Sequence, residues 1–210
     1  MNWLAHVFLS ENHIEHQLGN LLTDPLKAKA WEGASPRILS GIETHKRIDR
    51  FTDSHPLVSE SKVRLAKRGP LKGVALDILY DYYLSIHWEK FAKVERVSFL
   101  ETFRTQAPLA IANYPDKAQE VIARVVINRQ LSSYVHMQGV ADAFGRIDKR
   151  LTERTRDKDT TTRYLPIIKK ENSYLEGAFL EFFPELMGEI SKGLESSTVK
   201  HWKLQDERLK

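Results

Sequence analysis

Two segments of the chain place histidines and acids at helical spacing among apolar residues. The first is residues 44–56, Thr-His-Lys-Arg-Ile-Asp-Arg-Phe-Thr-Asp-Ser-His-Pro, and the second is residues 76–88, Leu-Asp-Ile-Leu-Tyr-Asp-Tyr-Tyr-Leu-Ser-Ile-His-Trp. His45 and Asp49 lie four apart, as do Asp49 and Asp53, and Asp77 and Asp81. Residues four apart on a helix share a face. A carboxylate buried beside Ile48 and Phe51, or among Leu76, Ile78 and Leu79, is costly unless it is paired or bound to a metal. Two carboxylates on one face also repel unless a cation lies between them. The chain must therefore fold so that a counter-charge reaches these faces. A metal ion would serve, and so would Lys or Arg from neighbouring helices; the residues alone leave both open.

The rest of the sequence reads as helix. Trp3, Leu4, Val7 and Phe8 form the stripe of a first helix ending near Ser10, and Leu18, Leu21 and Leu22 a second, interrupted at Pro25. Residues 31–35 read as loop, and Ser35-Pro36 has the N-cap and first-turn proline of a helix start. That helix carries Ile38, Ile42, His45, Ile48 and Asp49 and stops at Pro56, with His55 biased out of the helical region. Further helices are expected at about 58–67, 71–90, 96–112, 116–135, 138–152 and 163–190, with a break at Gly69-Pro70. Residues 152–162 are polar and expected to form an exposed loop. An all-α fold follows, with one helical domain over 1–197 and a charged tail over 198–210.

At 210 residues the chain is long enough for a sizeable core. It has no cysteine, so disulfides and thiolate metal sites are excluded, and a metal would rest on His, Asp, Glu, Asn or water. That donor set suits Mn, Mg, Fe or Zn. No apolar run reaches the ~20 residues of a membrane span, and the N-terminus lacks a signal-peptide pattern. A cytoplasmic enzyme with no membrane association is expected. A formal charge of +4 is compatible with an acidic partner, and equally with a role in solubility alone. There is no Gly-rich phosphate loop, no Gly-x-Ser-x-Gly elbow and no His-Glu-x-x-His.

Some residues have competing readings. His6 fits a structural histidine on the first helix. Asp24 fits an N-cap before Pro25, and Asp53 and His55 fit caps at a helix end. Lys46, Arg47 and Arg50 flank His45 and would suit a phosphate group, or simply a solvated face. Lys62, Arg64, Lys67 and Arg68 form a basic cluster able to meet an acidic protein surface.

In order, the chain reads Met1-Asn2-Trp3-Leu4-Ala5-His6, then Gly-Asn-Leu-Leu-x-Asp over 19–24, then Gly-Ile-x-x-His-x-Arg-Ile-Asp-x-x-Thr-Asp over 41–53, then Leu-Asp-x-x-x-Asp-x-x-Leu-x-x-His-Trp over 76–88. Tyr174, Leu175 and Phe182-Phe183-Pro184 follow. This series resembles the acyl carrier protein phosphodiesterases, also called acyl carrier protein hydrolyases, and spans most of the chain. The resemblance implies an all-helical fold distantly like the HD-type metal phosphohydrolases. It implies hydrolysis of the phosphodiester joining 4′-phosphopantetheine to a serine of holo-acyl carrier protein, with no nucleic-acid partner. It also implies a divalent cation, usually Mn²⁺, with Mg²⁺ or Fe²⁺ as alternatives. His6, Asp24, His45, Asp49, Asp77 and Asp81 would gather around one or two such ions. Arg47 or Arg50, with Lys46, would steady the phosphate, and His87 or His55 would protonate the leaving serine. Two rivals stand beside it. One is an HD-like hydrolase of nucleotides or other small phosphoesters. The other is a non-catalytic helical module that grips an acidic partner.

Overall fold

A computed structural model describes residues 1–127 and 130–204. Eleven α-helices account for the described architecture: α1 (Trp3–Phe8), α2 (Ile14–Leu22), α3 (Pro36–Ser54), α4 (Pro56–Leu65), α5 (Lys72–Ile86), α6 (Trp88–Phe91), α7 (Arg96–Ala110), α8 (Asp116–Ile127), α9 (Met137–Asp148), α10 (Glu153–Arg156) and α11 (Leu165–Ser191). No named strand occurs among the described residues, so the fold is all-α as expected. Among them, no helix is long and apolar enough to cross a membrane.

α1 is short, and Leu4, Ala5, Val7 and Phe8 are all fully buried. A six-residue helix cannot stand alone in water, so burial holds it. Asn2 makes no side-chain cap, and the N–H groups of the first turn, which lack helical partners, are met by Asp81. Its Oδ2 accepts from Leu4 N–H at 2.9 Å and its Oδ1 from Ala5 N–H at 3.0 Å. α1 runs against α2 and α5, and so carries His6 into the interior.

α2 and α3 cross at two glycines. A Cβ on Gly19 would lie 2.3 Å from the Ile38 carbonyl oxygen, and one on Gly41 would lie 2.3 Å from the His16 carbonyl oxygen. Only hydrogen permits that approach. α3 starts as expected, with Ser35 Oγ accepting from Ile38 N–H at 3.3 Å and Pro36 in the first turn. His55 is extended, as a residue before proline should be, but Pro56 is also the first residue of α4. One proline thus ends one helix and begins the next.

Three expectations change. The helix expected to run to 90 ends at Ile86: His87 leaves the helix, and Trp88 opens α6 with its indole donating to the Val94 carbonyl at 2.8 Å. The polar stretch 152–162 is not simply an exposed loop. It contains α10, and its Asp159 and Thr161 are buried, Asp159 accepting from Leu71 N–H and the Tyr164 hydroxyl, Thr161 hydrogen-bonding Asp148. Polar residues that satisfy one another pack inside, and polarity alone does not reveal the pairing. The tail also begins later than expected, because Val199, His201 and Trp202 are buried. Trp202 Nε1–H donates to the Phe8 carbonyl at 2.8 Å, and Lys93 N–H to the His201 carbonyl at 2.8 Å. Residues 128–129 of the helix expected at 116–135, and 205–210 of the tail, lie outside the described residues.

Candidate metal centre

The site is assembled from four places in the chain. α1 brings His6, the end of α2 brings Asn20 and the turn after it Asp24, α3 brings His45 and Asp49, and α5 brings Asp77. The C-terminal end of α2 leaves carbonyls without helical partners. Asn20's accepts from His45 Nδ1–H at 2.8 Å across the Gly19–Gly41 crossing. The same residue's side chain reaches His6, with Asn20 Oδ1 and His6 Nδ1 at 2.8 Å. The two imidazoles stack, their centroids 4.0 Å apart and their planes 13° off parallel.

With both Nδ1 atoms engaged, both Nε2 atoms face the acids. His45 Nε2 is 3.0 Å from Asp49 Oδ2 and 3.2 Å from Asp24 Oδ1. His6 Nε2 lies 3.5 Å from Asp49 Oδ1, is buried, and has no hydrogen-bond partner. Met1's ammonium sits between Asp77 Oδ1 at 3.3 Å and Asp49 Oδ1 at 3.8 Å, which draws Asp77 to the same cleft. Trp3, Leu21, Val74, Ile78 and Ile147 wall that cleft, a cavity of about 210 Å³.

Charge follows geometry. Burial alone would lower the pKa of His45, but its hydrogen bonds to Asp24 and Asp49 outweigh this and raise it to about 9. The proton on Nε2 is thus shared between two carboxylates. Burial lowers the pKa of His6, so its Nε2 presents a lone pair. The hydrogen bond from His45 holds Asp24 below the usual carboxylate range. Burial opposes ionisation of Asp49, yet the hydrogen bond from His45 and the nearby Met1 ammonium keep it well below that range as well. His6, His45 and Asp49 each offer one ligand atom, all within 4.8 Å of one another, and the trio could hold a metal ion. A buried, unpartnered imidazole lone pair beside an ionised carboxylate fits that use.

The structure therefore brings His6, Asp24, His45, Asp49 and Asp77 together. It does not bring the remaining four. Asp81 is fully buried behind the cleft and spends both oxygens on α1, with burial pushing its pKa up to about 7. Arg47 is turned to the end of α11, where Nη2–H donates to the Glu189 carbonyl at 2.9 Å and the guanidinium lies against Gly193. There it meets the negative end of the helix instead of a phosphate. Arg50 is exposed, one residue past Asp49 and so rotated away from its face. His87 is ten residues beyond Asp77, about 15 Å along α5, and pairs with Glu176 at 2.6 Å. Asp53 pairs with Lys62 and His55 with Glu185, at the α3–α4 corner. Asp24 is not an N-cap: the turns after it close on the carbonyls of Leu22, Thr23 and Asp24, and its carboxylate is free for His45.

Asn20 escaped the sequence reading. Its signal was an amide set between Gly19 and Leu21 on an otherwise apolar segment, where it is fully buried.

The family model described as acyl carrier protein phosphodiesterase matches residues 1–186. An acyl carrier protein phosphodiesterase of Yersinia pestis is 28% identical over 189 residues, which cover 89% of this chain and 96% of that protein. One from Photorhabdus laumondii is 26% identical over 189 residues, 89% of this chain and 93% of the relative. One from Escherichia coli is 33% identical over 93 residues, 44% of this chain and 48% of its own. No solved structure matches the chain significantly.

Proposed function

The chain belongs to the acyl carrier protein phosphodiesterase family, and from that premise we propose that it hydrolyses the phosphodiester between 4′-phosphopantetheine and the serine of holo-acyl carrier protein, releasing the apo form. One observation carries the metal-dependent part of this reading. The buried Nε2 of His6 has no hydrogen-bond partner and lies beside Asp49 and the Nε2 of His45.

His6, His45 and Asp49 would hold a divalent cation, with Asp24 and Asp77 at its margin. Two imidazoles with carboxylates favour Mn²⁺ or Fe²⁺ over Mg²⁺. When bound, such an ion supplies Lewis acidity and lowers the pKa of a coordinated water. The chain's own groups do the rest. Asp24 is ionised at neutral pH and exposed at the mouth, so it can accept a proton from the attacking water and hold His45 in place. The walls of Trp3, Leu21, Val74 and Ile147 exclude bulk water from the cleft. Lys27 and Lys29, exposed on the turn after Asp24, add positive charge beside the mouth. An acidic carrier protein would be steered to it. Lys27 and Ala28 both take positive φ, at 55°, a strained turn that sets this rim beside Asp24.

The test is incubation of holo-acyl carrier protein with the purified protein and Mn²⁺, followed by mass spectrometry. The expected result is conversion to the apo form, abolished by a chelator and restored by Mn²⁺. Cleavage of nucleotides without change in the carrier protein would replace this reading with small-phosphoester hydrolysis. Tight binding of the carrier protein without turnover would replace it with a binding module.

A further inference from the structure

Asn20 touches both histidines of the candidate site, His6 Nδ1 through its side chain and His45 Nδ1 through its backbone carbonyl. Its Nδ2 donates to the His6 carbonyl at 2.9 Å and to Ser10 Oγ at 2.9 Å. Ser10 Oγ–H donates in turn to the His6 carbonyl at 2.8 Å, so that hydroxyl is available to Asn20 as an acceptor. A carbonyl only accepts, and this fixes the amide's orientation: turning it over would set Oδ1 against the His6 carbonyl. Oδ1 must therefore face His6 Nδ1, which must carry the hydrogen. His45 Nδ1 faces the Asn20 backbone carbonyl, again an acceptor only, and must carry a hydrogen too.

Resting on the metal reading above, we infer that Asn20 is a positioning residue that sets the tautomer of both histidines, His6 through its side chain and His45 through its backbone. Free neutral imidazole does not favour the Nδ1–H form, and a histidine protonated on Nε2 cannot ligate through that atom. Asn20 thereby leaves the Nε2 of His6 bare toward Asp49 before any ion arrives, and leaves the Nε2 proton of His45, held by Asp24 and Asp49, as the one an ion must displace. Its position in the last turn of α2 makes this possible, because there a backbone carbonyl is released from the helix while the side chain still points inward.

The division between side chain and backbone gives a test with an internal control. Long-range ¹H–¹⁵N spectra of the metal-free wild-type protein should show hydrogen on Nδ1 of both His6 and His45. In Asn20→Leu, His6 should move to the Nε2–H form while His45 keeps its Nδ1–H, and Zn²⁺ affinity should fall by about 10–100-fold. A purely structural role for Asn20 would disturb both rings alike or neither. Hydrogen on Nε2 of neutral His6 in the wild type overturns the inference, and that spectrum decides alone if Asn20→Leu does not fold. His6 keeping Nδ1–H in a folded Asn20→Leu overturns it as well. A wild-type protein with both Nδ1–H signals that takes up neither Zn²⁺ nor Mn²⁺ supports the inference and overturns the metal reading instead.

Discussion

His6 and His45 look alike in sequence, each a histidine beside apolar residues, yet they occupy opposite protonation states in the folded chain. His45 shares a proton with Asp24 and Asp49, whereas His6 is neutral in a buried wall. A cation entering the site must displace the His45 proton. That imidazole's pKa is raised from its ordinary 6.5 to about 9, so the apparent Mn²⁺ affinity should climb about tenfold per pH unit across this window and level off above it. Isothermal titration at several pH values measures the slope. The sign for the metal-free fold is the reverse. His45 is stabilising when protonated, and this contribution is complete below pH 6.5 and lost as pH rises through 9. Replacing Asp49 by Ala should abolish hydrolysis while circular dichroism stays native, because Asp49 is 38% exposed and belongs to the cluster, not the core. His87→Ala should retain most activity, since His87 lies about 15 Å along α5 from Asp77 and pairs with Glu176 of α11; loss of turnover there would return His87 to the site. His45 and Asp49 were legible in sequence because helical spacing already sets them on one face. Arg47 and His87 were not, because spacing says which face a side chain shares but not which neighbouring helix answers it.

At the scale of elements, the contact that matters is the crossing of α2 and α3. It explains why a glycine opens each of the two motifs that meet there: Gly19 and Gly41 let backbones touch, and the touch carries the Asn20 carbonyl to His45. Gly41→Ala would set a Cβ 2.3 Å from the His16 carbonyl and 2.8 Å from Asn20 N, so the helices must separate. A loss of about 1–3 kcal/mol is expected, read by denaturant melting, with metal affinity falling alongside it because His45 moves off its acceptor. Asp81 belongs to this scale also. The sequence offered it as a partner of Asp77, four residues away, and helix periodicity supports that. What periodicity omits is the demand of another helix: α1 begins without a side-chain cap, and its first turn recruits Asp81 from across the core. Asp81→Ala should cost about 2–4 kcal/mol by leaving two buried N–H groups unmet, without removing a ligand. The polar stretch 152–162 misled for the same reason, since Asp159 and Thr161 are polar but matched.

For the molecule as a whole, the all-α class and nearly every helix could be read from apolar period and proline placement, because those signals are local. The packing of the last segment could not, since its partners are Phe8, nearly the whole length of the chain away, and Phe91, about half of it. Trp202→Phe keeps an aromatic ring but removes both the donor to the Phe8 carbonyl and part of the buried indole. It should lower stability by about 2–4 kcal/mol and speed hydrogen exchange in α1 beyond that in α3. Equal exchange in both helices would mean that the strap does not hold α1. This clasp has a consequence for biosynthesis. His6 is synthesised long before the indole that fastens its helix. The candidate centre is therefore steadied only once Trp202 has been made, and a nascent chain halted near residue 195 should carry every candidate ligand while lacking the anchor that steadies His6.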